Sequence, residues 1–111
     1  MSKLLGIPVI VELLPLIREL CEQINAKTIV EIGVCDGFST RNFVEVCKKL
    51  NGELISIDIE NCSRVTDWDK WLFIQADSTR VQLFKTIDVL FIDSSHEYKE
   101  TVTELRNFAP L

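Results

Sequence analysis

The stretch Thr28-Ile29-Val30-Glu31-Ile32-Gly33-Val34-Cys35-Asp36-Gly37-Phe38-Ser39-Thr40 decides how the rest of the chain is read. A short β-branched run that ends at a glycine reads as a buried strand entering a turn. Beyond the turn, Ser39 stands where it can cap a helix, Phe43, Cys47 and Leu50 recur at helical spacing, and Asn51-Gly52 stops the pattern. Strand, glycine turn and helix in that order open a right-handed crossover.

The same alternation continues outward. On the N-terminal side, Leu13, Ile17, Leu20 and Ile24, joined by Leu14 and Cys21, predict a helix that Pro15 either begins or divides into two pieces. On the C-terminal side, Leu54–Asp58 and Trp71–Gln75 read as strands separated by a polar loop. A short helix is expected from Thr79 to Phe84, then the most apolar strand, Ile87–Ile92, then a helix from about Glu97 to Phe108 that Pro110 ends. Strands alternating with helices predict an α/β fold with a mainly parallel sheet covered by helices on both faces.

At 111 residues the chain accommodates one domain, read here as residues 1–111 with 1–26 a helical entry segment. A hydrophobic fraction of 47% with 26% charged residues describes a globular chain rather than a disordered one. The net charge of −5 gives no electrostatic footprint for nucleic acid. Glu12, Pro8 and Pro15 interrupt the apolar N-terminus, which lacks the ~20 apolar residues of a membrane span and the cleavage site of a secretory signal. Cys21, Cys35, Cys47 and Cys62 form no Cys-x-x-Cys pair, and His96 is the one histidine, so no metal set is expected. Reduced thiols in a cytoplasm are the simplest reading.

In a parallel sheet of this kind, ligands bind beyond the carboxyl ends of the strands. Those ends carry Glu31, Asp58, Asp77 and Asp93, a rim of acids suited to a ligand rich in hydroxyl and amino donors. Gly33 and Gly37 allow a ligand close to the backbone, but their spacing of four departs from the G-x-G-x-x-G dinucleotide fingerprint. Glu31 and Asp36 would also repel a diphosphate. Asp58 follows Gly37 by 21 residues, close to the ~20 expected of a carboxylate that accepts from ribose hydroxyls. An adenosine ligand with a cationic group and no phosphate satisfies both observations. Asp77 has two readings, a cap for the helix after it or a ligand contact. So does His96, whose ordinary pKa of ~6.5 suits a general base and which could equally order its loop.

Ile29 to Thr40 resembles the first motif of class I S-adenosylmethionine-dependent methyltransferases, and Ile87-Asp88-Val89-Leu90-Phe91-Ile92-Asp93-Ser94-Ser95-His96-Glu97-Tyr98 resembles their fourth-strand motif, especially that of the small-molecule O-methyltransferase branch. Ser56-Ile57-Asp58 and Gln75-Ala76-Asp77-Ser78 stand at matching places. The resemblance implies a three-layer Rossmann-like sheet of order 3-2-1-4, truncated relative to the family's seven strands. It implies a cofactor site in which Gly33 and Gly37 admit the methionine part, with Ser39 in the same site and Glu31 near the amino group. Asp58, with Ile59 beside it, would take the ribose, and Asp77 with Ser78 the adenine edge. Asp93 would face the methyl group and, with His96, serve catalysis. Cys35 stands where many members have a further glycine, and relatives continue past Leu111 into strands that supply much of the acceptor pocket.

The reading that leads is S-adenosylmethionine-dependent methyl transfer to a small-molecule oxygen acceptor. The alternative is a non-catalytic half-domain that binds the cofactor or assembles with another chain. A nicotinamide-dependent oxidoreductase is disfavoured by Glu31 and the glycine spacing. With no following strand, Val89-Leu90-Phe91-Ile92 would be an apolar edge without Lys or Pro, a surface for a homodimer or a complementing chain.

Overall fold

A computed structural model describes residues 14–34, 37–83 and 85–92. Cys35, Asp36, Asp93, His96 and the helix expected over Glu97–Phe108 lie outside the described residues. The elements are a helix over residues 14–23 (α1), then β1 (Thr28–Ile32), α2 (Phe38–Leu50), β2 (Glu53–Asp58), β3 (Trp71–Gln75), a 3₁₀ turn at Ser78–Arg80, and β4 (Val89–Ile92). The four strands form one parallel sheet in the order β3-β2-β1-β4, as expected. β1 therefore lies inside the sheet, and Glu31 stands in register with Ser56 on one side and Phe91 on the other.

Burial follows this order. All five residues of β1 and the inner four of β2 are buried, whereas β3 and β4 are largely half-buried. Alternate residues divide the strands between two cores. On one face Ile29 and Leu54 pack with Cys21 of α1 and with Phe43, Val44, Val46 and Cys47 of α2, and the Phe43 ring meets Phe91 edge-on at 5.3 Å. Both described helices cover this face. On the other, Val30, Ile32, Ile55 and Ile57 pack with Ile74, Leu90 and Ile92 and with Val81, Leu83 and Ile87 from the segment before β4.

Three local expectations change. The stripe of α1 is displaced: Leu14 and Cys21 are buried, while Leu16, Leu20 and Ile24 are exposed, and the described residues 14–23 are helical without a break at Pro15. The short helix at Thr79–Phe84 shrinks to Ser78–Arg80, because Val81 is extended (φ −93°, ψ 137°) and joins Leu83 against the apolar face. β4 begins at Val89 rather than Ile87, because the Asp88 carboxylate accepts the Lys27 and Thr28 N–H groups at 2.8 and 3.0 Å. That contact pins the start of β1 to the approach of β4. At the end of α2, Asn51 adopts φ 57° and Gly52 N–H returns to Cys47 C=O at 2.8 Å. Lys49, in the last turn of α2, pairs with Glu22 of α1 at 2.9 Å.

Among the described residues, no helix is long and apolar enough to cross a membrane.

Candidate cofactor site

The carboxyl ends of β1 and β2 are joined by one side chain. Gly33, with φ 94°, donates its N–H to Ile57 C=O at 2.8 Å, which carries the ladder one residue beyond β1. The next amide, Val34 N–H, donates to Asp58 Oδ2 at 2.8 Å, and Asp58 Oδ1 accepts from Glu60 N–H at 2.9 Å. Asp58 thus holds the glycine turn against the end of β2. Ile59, 67% exposed, and Phe38, 55% exposed, stand at the same rim.

Gly37, expected only as a place of close approach, is also the N-cap of α2, with φ 89°. A Cβ there would lie 2.7 Å from Val65 Cγ1 and 3.4 Å from the Arg41 guanidinium carbon. The position therefore requires glycine for its backbone angle and for the side chains folded over it. Ser39 consequently is not the cap. It lies inside the first turn, 6% exposed, and turns its hydroxyl inward.

Glu31 is the largest departure from the expected rim of acids. It is 0% exposed and lies beneath α2 instead of at the edge of the sheet. Its Oε1 accepts the Thr40 hydroxyl at 2.6 Å and the Ser56 hydroxyl at 2.8 Å, and its Oε2 accepts the Ser39 hydroxyl in a short hydrogen bond. Ser56 in turn accepts the Trp71 indole N–H at 2.8 Å. An internal carboxylate is retained when donors surround it, and this network supplies them from β2, β3 and the first turn of α2. The spacing of Ser39, Thr40 and Ser56 around the β1 carboxylate was visible in the sequence, but their convergence depends on the strand register.

Asp77 caps the 3₁₀ turn, with Oδ1 accepting the Thr79 N–H at 3.0 Å and the Thr79 hydroxyl at 2.8 Å. Ser78 is buried beside it. Sequence reasoning missed an open cleft of about 570 Å³ lined by Arg41, Glu60, Asn61, Cys62, Arg64 and Val65, next to Gly37 and Asp58. The segment connecting β2 to β3 forms most of it, with Arg41 added from α2, and that polar segment carried no periodic signal. Asn42 buries its amide nitrogen with no hydrogen-bond partner among the described residues.

Cys21, Cys47 and Cys62 are free thiols. Burial pushes the Cys47 thiol up to about 12, and burial likewise raises that of Cys21, so both behave as small apolar side chains. Among the described residues, no cluster of three or more His, Cys, Asp or Glu could hold a metal ion.

A parallel sheet of order 3-2-1-4 with a glycine turn and an acid at the end of its second strand defines a nucleoside-binding class of α/β domain. Residues 30–111 match the family model described as a methyltransferase domain. The chain belongs to that family, in agreement with the resemblance carried by its motifs. Solved structures agree on the fold. A cmcI structure with SAH has a TM-score of 0.64 at 19% identity, with 83% of this chain and 51% of that one covered. A protein from Staphylococcus aureus assigned as a caffeoyl-CoA O-methyltransferase has a TM-score of 0.68 at 19% identity over 87% of this chain and 50% of its own. The N-methyltransferase NodS from Bradyrhizobium japonicum WM9, in complex with S-adenosyl-L-homocysteine, has a TM-score of 0.66 at 18% identity, over 84% and 50%. The chain spans about half the length of these structures. None of the curated proteins matches it.

Proposed function

We propose that the domain binds S-adenosylmethionine, or its demethylated product S-adenosylhomocysteine, across the carboxyl rim of the sheet and serves methyl transfer to an oxygen of a small-molecule acceptor. The observation that carries this reading is the 2.8 Å contact between Asp58 and the Val34 amide, which holds a carboxylate directly beside a glycine turn, the arrangement that suits acceptance from ribose hydroxyls. The residues present fit the cofactor: Asp58 is an acceptor for ribose hydroxyls, and the exposed Ile59 offers an apolar surface to the adenine. In this reading Gly33 and Gly37 would let the methionine part approach, and Asp77 with Ser78 would meet the adenine edge. The SAH named for the cmcI and NodS structures supports the same ligand class. When bound, the cofactor supplies an activated methyl group, and this chain contributes binding and orientation. Asp93 and His96, beyond β4, are the residues proposed to face the acceptor, with His96 taking its hydroxyl proton. An oxygen acceptor follows from the similarity of the Ile87–Tyr98 segment to small-molecule O-methyltransferases.

Residues 1–111 are read as one domain, and the buried thiols of Cys21 and Cys47 suit a reducing cytoplasm. Among the described residues β4 pairs on one side only, with β1, and its apolar strand is proposed to receive a second copy or a complementing chain. Sedimentation of the 111-residue chain at micromolar concentration tests this: a dimer is expected, and a stable monomer contradicts it.

Calorimetric titration with S-adenosylhomocysteine and with NAD tests the main reading. Saturable binding of the first and none of the second is expected. Binding of NAD alone would replace it with an oxidoreductase.

A further inference from the structure

The cleft beside the glycine turn has no role in the cofactor reading. Its walls meet the cofactor site at two points. Glu60, which lines the cleft, donates its N–H to Asp58 Oδ1 at 2.9 Å, and Val65 folds over Gly37, where an added Cβ would lie 2.7 Å from Val65 Cγ1. The sheet order β3-β2-β1-β4 puts the segment after β2 on the opposite side of β1 from β4. A ligand in this cleft therefore lies away from the acceptor end proposed beyond β4.

Charge and hydrogen-bonding polarity set what the cleft can hold. In a chain of net charge −5, Arg18, Lys48, Lys49, Arg80 and Lys85 each pair with a carboxylate. Arg64 makes no ion pair among the described residues, and Arg41 brings a second guanidinium to the same cleft. Asn61 Oδ1 accepts both the N–H and the hydroxyl of Ser63, at 3.1 and 2.7 Å, so what its side chain offers a ligand is the amide NH2. Glu60 supplies the opposite polarity, a carboxylate that accepts. Guanidinium forks match the oxygens of a phosphate, and the Glu60 carboxylate suits hydroxyl groups carried on the same molecule. A volume of about 570 Å³ is that of a small-molecule site, far more than a free phosphate fills. We propose that this cleft binds a sugar phosphate as a second ligand next to the cofactor site, with Arg64 and Arg41 on the phosphate and Glu60 and Asn61 on the sugar hydroxyls.

Cys62 lines the same cleft and is half-exposed, so its alkylation reports occupancy. The experiment follows the rate at which iodoacetamide labels Cys62 in the 111-residue chain, by peptide mass mapping, in the presence of glucose 6-phosphate, glucose, inorganic phosphate or malate. Glucose 6-phosphate should slow labelling saturably, at concentrations about ten-fold below those at which any of the other three do. Arg64→Gln, at an exposed position, should weaken that protection about ten-fold, as loss of a charge-assisted hydrogen bond does, and leave the affinity for S-adenosylhomocysteine within about two-fold. Equal protection by inorganic phosphate would make the cleft a plain anion site, and equal protection by malate a carboxylate site; either overturns the proposal. Protection that survives Arg64→Gln also overturns it. Calorimetric titration of glucose 6-phosphate into wild type completes the test, since heat of binding without protection of Cys62 would place the sugar phosphate elsewhere and overturn the proposal. Wild-type protein that binds glucose 6-phosphate in the cleft but not S-adenosylhomocysteine supports the proposal and removes only the cofactor reading, whereas the reverse removes only the proposal.

Discussion

The inner strands β1 and β2 are buried on both faces of the sheet, one packed by carbon alone and the other around a carboxylate. Val30, Ile32, Ile55 and Ile57 fill the first with aliphatic side chains and need no hydrogen bonds beyond the ladder. The second sets Ile29 and Leu54 next to Glu31 and Ser56 and brings Trp71, Ser39 and Thr40 to them. The apolar face supplies stability through area and packing. The polar network is directional, so it fixes where the first turn of α2 begins relative to β1, and with it the glycine turn at the site.

Truncation on the two faces should therefore have different consequences. Ile57→Ala on the apolar face should destabilise the domain by about 2–5 kcal/mol in denaturant melts while leaving ligand affinity little changed in the protein that remains folded. A loss of affinity as large as the loss of stability would remove the distinction. Ser56→Ala on the polar face should cost less stability, about 1–3 kcal/mol, because it leaves the Trp71 indole N–H without its acceptor. It should also change Trp71 emission, whereas unaltered fluorescence and melting would show that the network is not closed.

How much of this division was legible in the sequence depends on the kind of signal each part carries. β1 to β4 were readable because β-branched and apolar runs bounded by glycine, asparagine and aspartate announce buried strands. The glycine turn and Asp58 were readable from spacing. Glu31 was misplaced at the rim because alternation along a strand does not say which face the neighbouring helix covers. Ser39 was misread as a cap because a serine near a helix start has that local role most often, and Gly37, with φ 89°, took the position instead. The Arg41 and Arg64 cleft was invisible because it is assembled from a turn and a helix that are neighbours only in space.

The helix-covered face also protects its thiols. With the Cys47 thiol raised to about 12 and Cys21 buried, iodoacetamide at pH 8 should label the half-exposed Cys62 before either, as peptide mass mapping would read. Equal labelling of Cys47 would mean that α2 opens in the native protein. The smallest expected effect lies at the amino edge of the sheet, where the Glu53 carboxyl is held below its ordinary 4.5, chiefly by Lys85 and also by the Thr28 hydroxyl. A lowered carboxyl contributes stability that is present above its unfolded value and is lost as pH falls through its folded value. The melting-temperature difference between wild type and Lys85→Met should thus be small, constant near neutrality, begin to shrink as pH falls past about 4.5, and vanish only below the lowered folded value. A difference that grows in acid would reverse the sign.

The central claim is that Asp58 both holds the glycine turn and receives the ribose. Calorimetric titration of S-adenosylhomocysteine into wild type and Asp58→Ala, with thermal melts to confirm that both are folded, tests it most directly. The variant should lose about 1–3 kcal/mol of binding free energy through its charge-assisted hydrogen bonds. Equal affinity in the two folded proteins would contradict the account.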